Sequence, residues 1–301
     1  VNDIIITPES WKELVSHIEA YKGKAKIFVL GAVDTGKSYL CTYLVKQLCK
    51  NGKSAALIDT DPGQSLLGPP ATVAMALFRE TRDREHYRGI FQRPDSIPTA
   101  QVLSMGFVGS ISPAGNFLQV LVGLKKLIDK AVSYSVPSII INTSGLISQP
   151  GGREFKFQKI DMVAPSHLIA VQRTRELEPI VKNFAKRPSI SLTRLKISPA
   201  VRKKTPAERI SYRKRLFDQY FQDATPLCLS LFSFGLHGRV PDLRFFTQWE
   251  DMVIALCDEK NFALALARIE NFSEGIIQCI TPLKDKKKIK SIQFGTFYLN
   301  S

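Results

Sequence analysis

The chain has 301 residues, 44% of them hydrophobic, and a formal net charge of +15. That supports one large core or a main domain with a small companion, and no apolar run approaches the roughly 20 residues of a membrane span. Five scattered cysteines without a C-x-x-C pair and four scattered histidines exclude a disulfide framework and a clustered transition-metal site, and fit reduced thiols in a cytosolic setting.

Ile4 to Ile6 reads as a short strand or apolar lead-in, and Thr7-Pro8 as a helix cap with proline at the first helical position. Trp11, Leu14, Val15 and Ile18 follow at helical spacing, so a helix is predicted to about Tyr21. Ile27-Phe28-Val29-Leu30 is a buried-type strand that runs straight into GAVDTGKS, residues 31–38, with the spacing G-x-x-x-x-G-K-S. Leu40, Leu44 and Leu48 then recur every four residues until Asn51-Gly52 ends the helix. Strand, glycine loop and helix together are the context a phosphate-binding loop requires. Its backbone N–H groups and the helix N-terminus can hold phosphate oxygens. Lys37 would reach the β and γ phosphates, and the Ser38 hydroxyl would bind Mg²⁺. Gly31, Asp34, Thr35, Gly36, Lys37, Ser38 and Tyr39 are the expected nucleotide contacts.

Ala55-Ala56-Leu57-Ile58 is a second buried strand, ending in Asp59-Thr60-Asp61-Pro62-Gly63-Gln64. A carboxylate at Asp59 can hold the Mg²⁺ shell. Asp61, two residues on, points to the same side of an extended chain and can accept a proton from an attacking hydroxyl. Residues 103–108 are a third strand candidate, followed by a helix opened by Gly115-Asn116 and carrying Phe117, Val120, Leu121, Leu124 and Ile128. Ile139-Ile140-Ile141 is a fourth strand, capped by Asn142-Thr143-Ser144-Gly145, and residues 167–171 are a fifth. Alternating strands and helices argue for an α/β fold with a parallel sheet covered on both faces, and ligands of such sheets bind beyond the carboxyl ends of the strands. The N-K-x-D or T-K-x-D signature of guanine recognition is absent after the fifth strand, where Gln172-Arg173-Thr174-Arg175-Glu176 stands instead. This favours ATP or loose base choice.

Residues 182–215 are densely basic. Pro206 to Tyr220 reads as a helix on which Arg209 and Arg213, four apart, share a face, with Arg202 just before it. One of these arginines can close over the nucleotide and neutralise charge in phosphoryl transfer, while others can hold a nucleic-acid backbone. A solvated basic helix face explains the same residues without function. After Pro226, short apolar runs punctuated by Gly235, Gly238, Asn271 and residues 284–288 predict a small, mostly β domain.

Taken together, the segments resemble the polynucleotide 5′-hydroxyl kinase family, which includes archaeal RNA kinases, the kinase subunit of the pre-mRNA cleavage machinery and ribosomal RNA processing kinases. GAVDTGKS resembles the family's G-x-x-D-x-G-K-S/T loop, and DTDPGQS its more discriminating D-x-D-x-G-Q segment. LLGPPATVAM and FVGSISPAGN resemble the proline-containing segments that follow, and NTSGLI stands where the family has a T-x-G-W-type clasp. AERISYRKRLFDQYF resembles an arginine-rich lid ending in Tyr-Phe, and ITPL and IQFGTFYL the closing β region.

The resemblance implies a P-loop NTPase-type parallel sheet flanked by helices, with an arginine-rich helical lid and a small C-terminal mostly-β domain. The expected divisions are a lead-in at 1–23, a kinase domain at 24–225 with its lid at about 182–220, and a β-rich domain at 226–301. It implies an ATP- and Mg²⁺-dependent enzyme that phosphorylates 5′-hydroxyl ends of nucleic acid, RNA favoured over DNA. Lys37 would contact phosphates, Ser38 and Asp59 would support the metal, and Asp61 would be the general base. Gln64 would lie beside metal or substrate. Thr143 and Gly145 would form the clasp for the terminal nucleotide, and Arg209 and Arg213 the R-x-x-x-R pair, with Arg202 and Arg215 as competitors. Leu146 replaces the clasp tryptophan of several relatives, so the roughly 1–3 kcal/mol of base stacking on an aromatic is lost there. Only about 23 residues precede the first core strand, too few for the N-terminal β domain of larger eukaryotic relatives, so a compact, prokaryotic-type cytoplasmic kinase is expected. Two other classes stay open: a non-catalytic ATP-binding component of an RNA-processing assembly, and a P-loop NTPase that hydrolyses nucleotide to drive a partner.

Overall fold

The computed structural model describes residues 8–79, 102–149, 151–242 and 249–299. The expected strand at Ile4 to Ile6 and the Thr7 cap lie outside the described residues. The chain divides into two compact units, one of residues 1–60, 75–103 and 125–204, the other of residues 61–74, 104–124 and 205–301.

The first unit opens with α1 (Glu9–Glu19), which buries the predicted Trp11, Leu14, Val15 and Ile18. It continues through β1 (Ala25–Gly31), α2 (Lys37–Lys50) and β2 (Ala55–Thr60). The chain then forms β3 (Thr72–Phe78), β4 (Val102–Phe107) and α3 (Phe117–Ser133), all three of which run across the division between units. β5 (Ser138–Thr143), α4 (Gly152–Val163), β6 (His167–Gln172), the short α5 (Glu178–Val181) and β7 (Ser191–Lys196) complete it.

The seven strands form one sheet in the order β4-β3-β2-β5-β1-β6-β7. β1 pairs in parallel with β5 and β6, β2 with β5, and β6 with β7. β2, β5 and β6 are buried along their whole length. Their near-continuous apolar runs are what a strand covered on both faces needs. α2 packs on β1, β2 and β5 through Leu40, Cys41, Leu44, Val45 and Leu48.

Three elements differ from the sequence expectations. The third strand in chain order is β3, not the 103–108 segment, which forms β4. β3 was hidden because Gly68-Pro69-Pro70 reads as a loop and the buried run behind it has no alternation. β7 lies inside the basic segment. It is an edge strand in which only Leu195 is buried and Arg194 and Lys196 are exposed, so its charged residues do not conflict with strand pairing. α4 was not expected at all, for a reason the site makes plain.

The second unit holds α6 (Pro206–Tyr220) and a six-stranded sheet of β8 (Thr225–Ser230), β9 (Gly235–Gly238), β10 (Met252–Cys257), β11 (Ala263–Ser273), β12 (Ile276–Thr281) and β13 (Ser291–Tyr298). The order is β8-β12-β11-β10-β13-β9, antiparallel except for the parallel β13–β9 pair. Its core centres on Trp249, stacked on Phe272 at 4.8 Å between centroids and edge-on to Phe294. α6 starts on a capping box, with Thr205 and Glu208 each accepting from the other's backbone N–H, and Pro206 at the first helical position. Its far end is fixed to the sheet. Phe217 stacks on Phe297 at 5.2 Å, and the Tyr220 hydroxyl oxygen accepts from the Leu266 N–H. Burial pushes the Tyr220 phenol up to about 12.

Candidate active site

The glycine loop runs from Gly31 at the end of β1 to Gly36, the N-cap of α2, so backbone N–H groups and a helix N-terminus converge as expected. Lys37 is buried, and its ammonium and the Thr35 hydroxyl both donate to the Ala32 carbonyl. Asp34 takes no part in the sheet. Its carbonyl accepts from the Arg173 guanidinium at 2.6 Å and its carboxylate from the Lys204 N–H at 2.9 Å. Tyr39 is partly exposed beside Trp11, 5.8 Å between centroids.

Ser38 and Asp59 come together through a residue the sequence reading had treated only as part of a strand cap. The Asn142 Nδ2 group donates to Asp59 Oδ1 at 2.9 Å and to Ser38 Oγ at 3.2 Å. The Cys41 thiol donates to Asn142 Oδ1 from 3.9 Å, which fixes which way round the amide stands. Burial, and secondarily the Asp59 charge, push the Cys41 thiol well above its ordinary range, so it stays protonated. Ser38 and Asp59 are hard oxygen donors. Mg²⁺ is held by one or two such groups with substrate phosphates rather than by an all-protein cage, and among the described residues no cluster of three or more His, Cys, Asp or Glu competes for it. The residues present fit the ion.

Asp61, the first residue of the second unit, is partly buried, and its Oδ1 accepts from the N–H groups of Gly63 and Gln64 at 3.0 and 3.1 Å. This turn explains the sequence that follows it. A Cβ on Gly63 would stand 2.5 Å from the Ile111 carbonyl oxygen, so only glycine lets the chain pass. Gln64 donates from Nε2 to the Gly63 carbonyl, while its buried Oε1 accepts no hydrogen bond from the described residues. An acceptor buried without a donor is costly, and a ligand hydroxyl or water would satisfy it.

On the loop after β5, the Thr143 hydroxyl is fully buried and donates to the Val29 carbonyl. What it presents beyond the sheet is therefore backbone. Gly145 packs flat on the glycine loop, where an added Cβ would lie 2.5 Å from the Val33 backbone nitrogen. Leu146 is partly exposed. On α6, Arg209, Tyr212 and Arg213 lie on the inward, partly buried face with Leu216 and Phe217, and the Tyr212 hydroxyl donates to the Ser65 carbonyl at 2.8 Å. Arg202 and Arg215 are exposed. Burial, then the charge of Arg209, lower the Arg213 pKa from its ordinary value. Two guanidinium groups held this way favour an anion between them.

Two further cations were missed. Lys156 and Lys159 of α4 are both 0% exposed. The Lys156 ammonium donates to the Ser144 carbonyl at 2.6 Å and its hydroxyl at 3.2 Å, and the Lys159 ammonium donates to the Thr60 hydroxyl at 2.6 Å. The signal was present: Phe155, Lys156, Lys159, Ile160 and Val163 mark one helical stripe. The lysines occupy core positions in it, which conceals the amphipathic pattern.

A family model described as mRNA cleavage and polyadenylation factor CLP1 P-loop matches residues 31–223. A polyribonucleotide 5′-hydroxyl-kinase of Pyrococcus horikoshii is 28% identical over 96% of this chain and 90% of its own. Another, of Methanocaldococcus jannaschii, is 27% identical over 96% and 91%. Among solved structures, a complex of Clp1p with Pcf11p shares the fold at a TM-score of 0.73 and 13% identity, covering 96% of this chain and 79% of that one.

Proposed function

The chain belongs to the CLP1 P-loop family, and on that premise we propose that it is a polyribonucleotide kinase, transferring the γ-phosphate of ATP to the 5′-hydroxyl end of RNA. The observation that carries this reading is the Asp59-Thr60-Asp61 segment. Its first carboxylate is tied to Ser38 through Asn142, and its second is held in a turn of its own. A purely structural nucleotide site needs no such second carboxylate, whereas a hydrolase would use it on water, and the acceptor assay below separates that case.

In the proposed reaction the loop N–H groups and Lys37 hold the donor phosphates. Asp61 takes the proton from the 5′-hydroxyl as its oxygen bonds to the γ-phosphorus, and the bond from that phosphorus to the β–γ bridging oxygen breaks, releasing ADP. Ser38 and Asp59 would hold Mg²⁺, whose charge offsets the negative charge of the phosphate oxygens. Arg209 and Arg213 act as the lid pair and neutralise charge on the transferred group. Arg202, exposed, meets the backbone of the acceptor strand. Gln64 offers its unsatisfied oxygen to a sugar hydroxyl, which favours RNA over DNA. Thr143 and Gly145 shape the terminal-nucleotide seat through backbone, and Leu146 gives it apolar contact.

The charge of +15 suits a polyanionic acceptor. Among the described residues no helix is long and apolar enough to cross a membrane, and all five cysteines are free thiols. A cytoplasmic setting is part of the proposal.

Transfer of labelled γ-phosphate from ATP to 5′-hydroxyl RNA and DNA of equal sequence tests it, with Asp61→Asn alongside and a 5′-phosphorylated strand as blank. Label at hydroxyl ends with the unaltered protein, abolished by Asp61→Asn, is expected. ATP hydrolysis without labelled strands would instead make the chain a nucleotide-driven NTPase.

A further inference from the structure

A lysine is rarely buried completely, and a buried charge needs good partners. Here two lie three residues apart on one helix. Both ammonium groups sit near the same ring, 5.7 and 5.2 Å from the Phe155 centroid. Each reaches the carboxyl end of a different central strand. Lys159 donates to Thr60, the residue between Asp59 and Asp61. The Thr60 hydroxyl in turn donates to the Asn142 carbonyl at 2.6 Å, joining the ends of β2 and β5. Lys156 holds Ser144, two residues beyond Asn142 on the loop that carries Thr143 and Gly145.

This arrangement is more than packing. A leucine or methionine at either position would fill the stripe as well, without the cost of desolvating a cation. What the ammonium adds is charge-assisted hydrogen bonding, stronger and shorter than neutral, to Thr60 at one strand end and Ser144 at the other. Those residues belong to the segments that present Asp59, Asp61 and the acceptor seat.

We propose that Lys159 and Lys156 are positioning residues of phosphoryl transfer: Lys159, acting through Thr60, sets where the two aspartates stand, and Lys156, acting through Ser144, sets where the acceptor loop stands. The inference rests on the kinase reading above and extends it to residues that touch neither nucleotide nor acceptor. It assigns the two lysines different kinetic signatures. Misplacing a reacting group by about 1 Å costs on the order of 100-fold in rate, so loss of the Lys159 contact lowers kcat. Loss of the Lys156 contact raises the KM for the oligonucleotide.

The test compares Lys159→Met, Thr60→Val, their double variant and Lys156→Met with the unaltered protein. The readouts are kcat and KM for a 5′-hydroxyl RNA oligonucleotide, ATP affinity from a fluorescent analogue, and Tm. Lys159→Met and Thr60→Val are each expected to lower kcat by about 100-fold while ATP affinity stays within about twofold. The double variant should be no slower than Thr60→Val, which already removes the Lys159 contact together with the hydrogen bond to Asn142. Lys156→Met should act mainly on KM. Should Lys159→Met fail to fold, the near-isosteric Thr60→Val carries the kcat test by itself. Unchanged kinetics, multiplying losses in the double variant, or kcat, KM and ATP affinity all falling in parallel would overturn the proposal. Failure of the unaltered protein to label any strand would be a different result, since it removes the kinase reading and this inference with it.

Discussion

The side-chain amide of Asn142 donates to the buried carboxylate of Asp59 at 2.9 Å, and the same nitrogen reaches the Ser38 hydroxyl at 3.2 Å. One group at the end of β5 therefore holds both oxygen donors of the proposed metal site, one from α2 and one from β2. Cys41 pins the other end of the amide.

Replacing Asn142 with Ala leaves the Asp59 carboxylate buried without that donor. A loss of about 1–3 kcal/mol in stability is expected, the usual cost of such a group. Because Ser38 and Asp59 also lose their common tether, the Mg²⁺ concentration for half-maximal activity should rise. Urea unfolding in the absence of nucleotide and a Mg²⁺ titration of activity measure the two effects separately. An unchanged midpoint in both would show that the amide is dispensable.

Gly145→Ala places a methyl group 2.5 Å from the Val33 nitrogen. Either the acceptor loop or the glycine loop must shift, at a cost of about 1–3 kcal/mol for such overpacking. ATP affinity should fall about tenfold or more, equal to about 1.4 kcal/mol. Calorimetric titration with ATP checks this, and wild-type affinity would mean that the two loops yield freely.

Arg213 and Arg202 should separate by kinetic behaviour. Arg213, partly buried beside Arg209, is expected to lose about 100-fold or more in kcat as Ala, by analogy with other arginines that neutralise transferred phosphoryl groups. Arg202, exposed, should affect oligonucleotide KM and reduce its salt dependence by about one counterion as Ala, with kcat little changed. Measuring kcat and KM at several salt concentrations distinguishes them. Equal kcat losses would place Arg202 in the chemistry too.

Away from the site, Arg194 of β7 grips Glu178 through Nε at 2.8 Å and Nη2 at 3.0 Å, and Gln172 adds a third hydrogen bond. These bonds, the Arg194 one first, hold the Glu178 carboxyl down to about 2. A folded-state value below the unfolded one, about 4.3, means a stabilising contribution that is complete above the unfolded value. It is lost as pH falls through that value toward about 2. Glu178→Gln should therefore lower the urea midpoint at pH 7 and make it less sensitive to acid between pH 5 and 2. An identical acid slope in the variant would contradict the assignment.

Much of the candidate site was legible because its residues lie close together in sequence. The glycine loop, the Asp59 and Asp61 pair and the α6 arginines each lie within a few residues of one another. Strand-loop-helix periodicity and turn chemistry place such groups without tertiary knowledge. Gly63 and Gly145 were legible only as turn or motif residues, because the atoms they avoid, of Ile111 and Val33, lie far away in sequence. β3 and α4 were missed for a shared reason. Neither shows the polar-apolar contrast on which a periodicity argument depends: β3 is buried almost throughout, and α4, exposed on one face, carries lysines at two of its buried positions.

By itself the sequence determined the phosphate loop, an α/β fold of parallel-sheet type around it, and the residue types available for phosphoryl transfer. Only the tertiary structure decided that Asn142 joins Ser38 to Asp59, that Arg209 and Arg213 face inward while Arg202 and Arg215 face out, and that Lys156 and Lys159 are core residues. The division follows from range. Backbone geometry and capping are settled by neighbours along the chain, whereas a hydrogen bond between strand ends 83 residues apart exists only once the sheet has set them side by side.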